Sequence, residues 1–145
     1  MEKFKIDIFE KDNPSKSIDL ISLNSSDSKW VSLLLTNCIK YFSEGLDTQE
    51  LFIFLGHYLD KEFKYKNDVT KKFLKNILMK LNIPFDAVCF MFWDFESGID
   101  IIKTTDLIEK WDYIWYDTSD EALILFFPSM DKIVLITDHG VVKTR

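Results

Sequence analysis

A chain of 145 residues, 47% apolar and 15% aromatic, has the material for one packed domain, 1–145, with a core that needs no metal or disulfide, and its composition excludes a disordered chain. Its net charge of −6 is uneven: residues 1–85 hold thirteen lysines against twelve acids, and residues 86–145 five Lys or Arg against twelve, giving +1 and −7. An acidic C-terminal half argues against nucleic acid as a partner and for a basic protein.

Cys38 and Cys89 lie inside apolar runs and read as two free thiols in a reducing compartment. No CxxC or Cys/His cluster suggests zinc. The N-terminus, MEKFKIDIFEKD, is charged throughout and lacks the apolar stretch of a signal peptide. The longest apolar run, Ala87–Trp93, is too short to span a bilayer. The expectation is a soluble, cytoplasmic protein with no membrane contact.

Taken in order, Lys3–Phe9 alternates, with Phe4, Ile6 and Ile8 on one side, and reads as a half-buried strand. Asp12-Asn13-Pro14-Ser15 is a turn, and Ile18–Leu23 a second strand candidate. Ser25-Ser26-Asp27-Ser28 starts a helix over about 28–43, striped by Trp30, Val31, Leu34, Leu35, Cys38, Ile39 and Phe42, with Gly45 past its end. Asp47 with Glu50 forms an Asp-type capping box for a second helix, striped by Leu51, Phe52, Leu55, Tyr58, Leu59 and Phe63. Leu51–Leu55 is also compatible with a strand, and Gly56 inside the helix suggests a close packing contact. Asn67-Asp68 caps a third helix, with Val69, Phe73, Leu74, Ile77, Leu78 and Leu81 on one face and lysines on the other.

Asn82-Ile83-Pro84 ends the helical region. Asp86–Phe95 follows as a strand apolar on both faces, as in a sheet covered on both sides. Glu96-Ser97-Gly98 turns it into Ile99–Lys103, a hairpin. Thr104-Thr105-Asp106 opens a short helix with an Asp106–Glu109 capping box. Ala122–Phe127, a Pro-Ser-Met-Asp turn, Ile133–Ile136, an Asp138-His139-Gly140 turn and a final strand close the chain. Strands do not alternate with helices. The pattern therefore predicts an α+β fold: a mostly antiparallel sheet with an N-terminal helical segment packed on it.

Glycines only at 45, 56, 98 and 140 rule out the phosphate-cradling motifs, and no HExxH or GxSxG is present. His57 and His139, the two histidines, read as ordinary surface or turn residues. Neither a catalytic residue nor a cofactor is expected. Carboxylates are the one abundant reactive type. Asp94, Glu96 and Asp100, with Lys103 nearby, offer a loose metal-dependent hydrolase or nuclease site, held as the alternative.

Stronger is the segment 109–121, where Glu109, Asp112, Asp117, Asp120 and Glu121 surround Trp111, Tyr113, Trp115 and Tyr116. Large aromatics within a carboxylate ring suit an interface with a basic partner. Trp111 and Trp115 also suit a core. The candidate contact set is Asp94, Glu96, Asp100, Asp112, Tyr113, Trp115, Tyr116, Asp117, Asp120 and Glu121.

With its closing pattern IWYDTSDEALILFF…DKIVLITDHG, the chain resembles, in type rather than in motif, the small acidic immunity proteins of bacterial toxin systems, contact-dependent inhibition among them. The resemblance implies a non-enzymatic inhibitor that covers a basic toxin domain. It assigns no individual residue.

Overall fold

The computed structural model describes residues 1–40, 48–63, 69–94, 98–115 and 122–145. Its centre is a seven-stranded sheet in which every pair is antiparallel. The strands are β1 (Ile21–Ser22), β2 (Lys61–Phe63), β3 (Val88–Trp93), β4 (Ile99–Lys103), β5 (Leu123–Phe127), β6 (Lys132–Ile136) and β7 (Val142–Thr144). They lie in the order β1-β4-β3-β5-β6-β7-β2. The helices are α1 (Lys3–Asp12), α2 (Ser25–Ile39), α3 (Thr48–Tyr58), α4 (Lys71–Lys80), α5 (Thr104–Glu109) and α6 (Trp111–Ile114).

The apolar-both-sides pattern of β3 and β5 has its explanation in two cores. Phe92, Ile99, Ile124, Phe126, Ile133 and Leu135 share one cluster with Val31, Leu35 and Ile39 of α2 and Leu51 and Leu55 of α3. The opposite side chains, among them Cys89, Met91, Ile102, Leu125, Phe127 and Val134, share the other with α1, α4, α5 and α6. The fold is α+β, as the sequence pattern predicts, with helices on both faces of the sheet. The N-terminal helical segment is divided between them: α2 and α3 on one side, α1 and α4 on the other.

Local chemistry sets the helix ends. The Asn24 side chain accepts from the Asp27 N–H at 2.9 Å and caps α2 three residues before the expected start. The Thr70 hydroxyl accepts from the Phe73 N–H at 3.2 Å and caps α4. α2 ends at Ile39, with Lys40 in the left-handed region at φ 53°. Gly45, the Asp47 cap and the Asn67-Asp68 cap lie outside the described residues.

Several expectations are corrected. Lys3–Phe9 is helical, not a strand. Its alternation repeats at i and i+4 as well as at i and i+2, so seven residues fit both periods. As a helix it buries Lys5 and Phe9, one turn apart, and leaves Phe4 and Ile8 49% and 39% exposed. Ile18–Leu23 contracts to the two-residue strand β1. Leu51–Leu55 is helix, because Leu51, Leu55 and Leu59 fall on one buried stripe. Phe63, placed on that stripe by its spacing, belongs instead to β2, an edge strand paired with β7. On α2, Trp30 and Leu34 are not core: the sheet takes Val31, Leu35 and Ile39, and Trp30 stays 68% exposed. The Asp106–Glu109 box does not form; Lys103 occupies the cap without a side-chain bond, and Asp106 pairs with Lys110 at 3.0 Å. Among the described residues, no helix is long and apolar enough to cross a membrane.

Gly56 also departs from its expected role. A Cβ placed there meets nothing within 4 Å, so no neighbour demands glycine. Gly56→Ala in α3 is therefore expected to raise stability by about 0.5–1 kcal/mol, because alanine costs less backbone entropy in a helix. An unchanged or lowered urea midpoint would contradict this.

Candidate partner-binding face

The aromatic-acidic segment is divided by the way α6 is fixed. Trp111 and Ile114, three apart, point into the core. Trp111 stacks on Trp115 with ring centres 5.8 Å apart and planes 5° from parallel, and its indole N–H donates to the Val69 carbonyl. Trp115 is buried as well. It packs in the core, whereas the candidate set has it among the contact residues. The same rotation of α6 brings Asp112 to the surface and leaves Tyr113 half-buried.

Tyr113 joins α6 to α1. Its ring meets Phe9 edge-on at 5.0 Å, and its hydroxyl accepts from the Asn13 side-chain amide at 3.2 Å. Lys110, paired with Asp106, lies 5.8 Å from the centre of the Phe9 ring. The two helices thus form one outward layer. It presents Asp112 from α6 and Phe4, Asp7, Ile8, Glu10 and Asp12 from α1, with Lys3 and Lys11 among them. The α1 residues were hidden from sequence reasoning by the strand assignment. The spacing of Phe4 and Ile8, one helical turn apart, is the signal that could have found them.

Comparisons with protein-family models, curated sequences and solved structures gave no match to this chain.

Asp100 does not join the face. The β3–β4 register sets it opposite Met91, on an interior side of the sheet, where it is 2% exposed. Its Oδ1 accepts from the Ser22 hydroxyl at 2.5 Å; its Oδ2 accepts from the Trp93 indole N–H at 3.1 Å and from the α-ammonium of Met1. Lys5, 1% exposed, places its ammonium 4.4 Å from the centre of the Trp93 ring. This polar cluster ties α1 and β1 to the β3–β4 hairpin. Asp94 is half-buried just beyond β3. Glu96, Tyr116, Asp117, Asp120 and Glu121 lie outside the described residues. The structure thus brings Asp112 and Tyr113 together on the surface and separates Asp100 and Trp115 from them. Among the described residues, no three His, Cys, Asp or Glu side chains are grouped to hold a metal ion.

Both thiols are free, as expected. Burial pushes the Cys89 pKa well above the ordinary thiol value. Cys38 is raised too, first by burial and then by the Asp131 carboxylate, which accepts its S–H at 3.3 Å. A raised pKa means less thiolate at neutral pH, so neither is an activated nucleophile. His57 and His139 are exposed, on α3 and in the last turn.

Proposed function

We propose that this protein is a non-enzymatic, protein-binding inhibitor of the immunity type, which neutralises a basic toxin domain in the cytoplasm through the layer of α1 and α6. One observation carries the reading: α6 packs on α1 through Tyr113 and Phe9, and the two helices expose apolar Phe4 and Ile8 together with Asp7, Glu10, Asp12 and Asp112. An apolar centre rimmed by charge is the usual anatomy of a protein interface. The −7 balance of residues 86–145 supplies the long-range field that would steer a basic partner. Asp100 and Trp115 contribute by holding the layer in place.

The test begins with capture of the partner from the native host and its identification by mass spectrometry. The expected result is a stoichiometric complex with a basic protein, whose activity is lost on binding and whose association slows as salt rises. An acidic partner, or association indifferent to salt, would refute the proposal.

The alternative, a metal-dependent hydrolase using Asp94, Glu96 and Asp100, is disfavoured by the donors on both Asp100 oxygens, which a metal would have to displace. Titration with Mg²⁺, Mn²⁺ and Ca²⁺ is expected to release no heat. Saturable binding that disappears in Asp94→Asn would favour the hydrolase.

A further inference from the structure

On the opposite side of the sheet from α1 and α6, a cleft of about 370 Å³ opens where the end of α2 meets the β5–β6 turn and the end of β7. Ile39 and Ile133 give it an apolar floor, and Tyr58 of α3 forms part of the wall. The Arg145 guanidinium lies over the Tyr58 ring, 4.7 Å from its centre. Lys40 and Lys132 also line the opening. Among the described residues, none of these three cations forms an ion pair. Among the described residues, Asp131 is the only acidic side chain in the lining, and its Oδ1 accepts from the Cys38 thiol.

A chain of net charge −6 thus gathers three cations around Asp131 at an apolar hollow, among its described residues. Ligand sites have this composition, a mostly apolar lining with a few convergent polar groups, and this one is near the small end of their range. A guanidinium held on an aromatic ring keeps its N–H fork free for a bidentate oxyanion. We propose that the cleft binds a small anion bearing phosphate or carboxylate groups, anchored by Arg145 and balanced by Lys40 and Lys132.

Cys38 supplies the readout. An anion seated beside it would cover the thiol and disfavour its thiolate, so alkylation by iodoacetamide would slow. Inorganic phosphate and citrate are the two probes, each set against sodium chloride at equal ionic strength. The expected result is saturable protection by at least one probe, with a midpoint in about the millimolar range. Protection by phosphate alone, citrate alone or both names the class. Arg145→Ala and Lys132→Gln should each shift the midpoint about tenfold upward, as befits the loss of a charge-assisted contact. Arg145 is exposed and Lys132 begins its strand, so the fold should survive both changes; an unchanged urea midpoint checks this. Rates equal to those in sodium chloride, or equal protection of the wild type and both variants, would overturn the site.

Discussion

Asp100→Ala is expected to lower stability by about 3–5 kcal/mol, the cost of breaking a buried charged pair from one side. The carboxylate is almost wholly out of water and serves three donors: the Ser22 hydroxyl, the Trp93 indole and the Met1 α-ammonium. Alanine takes the acceptor from a buried indole N–H and removes the carboxylate that faces the part-buried α-ammonium, and an unmade buried bond costs more than a made one contributes. The Tm should fall by roughly 10 °C in a chain of this length. Asp100→Asn should cost less, since its carbonyl oxygen can still accept from Trp93 while its amide meets a donor. Urea unfolding followed by tryptophan fluorescence and far-UV dichroism measures both variants. A loss below about 1 kcal/mol for alanine would mean that water replaces the carboxylate at little cost.

Asp100 also marks where sequence reasoning reaches its limit. In IDIIK a single acid between apolar residues suggests an outward-facing position. That inference needs one wet face, and this sheet is covered by helices on both. When both faces are dry, period-two alternation no longer distinguishes inside from outside. Only the register with Met91 and the approach of α1 give Asp100 its partners, and neither is encoded within the strand. β2 was missed for a related reason. Its three residues, Lys-Glu-Phe, carry no strand pattern and are placed by pairing with β7, some eighty residues later.

Where the local signal was strong, the pattern was legible. β4 has the expected bounds, Ile99–Lys103, because Gly98 precedes it and a helix start follows it. β5 and β6 agree within one residue, since continuous apolar runs flank a turn containing Pro128. α4 shows its lysines on one face and Leu74, Ile77 and Leu78 on the other. The candidate site was legible only in part. Asp112 and Tyr113 could be read as outward because they interrupt the spacing of Trp111 and Ile114. Trp115 reads as core before interface by its residue type, and its burial agrees with that reading rather than with its place in the contact set.

The sharpest test of the binding face separates steering from contact. Reversing Asp112, Asp117 and Asp120 to Lys moves the charge of residues 86–145 from −7 to −1. Asp112 is exposed on α6, whereas Asp117 and Asp120 lie outside the described residues. The association rate with the basic partner is expected to fall by about 10–100-fold at low ionic strength, since a surface field acts on encounter. Near 1 M salt, where screening cuts off charge beyond about 3 Å, the variant and the wild type should converge. Phe4→Ala and Tyr113→Ala probe the other quantity: they remove apolar contact without altering charge, so they should raise the dissociation rate and leave association nearly unchanged. Phe4 is already 49% exposed, so its truncation should hardly move the urea midpoint. Tyr113 packs on Phe9, and a modest loss of stability is expected there, which the midpoint records separately from binding. A charge reversal that leaves association untouched at low salt would remove the acidic segment from the mechanism. Alanine variants that leave dissociation untouched would move the contact away from the α1–α6 layer.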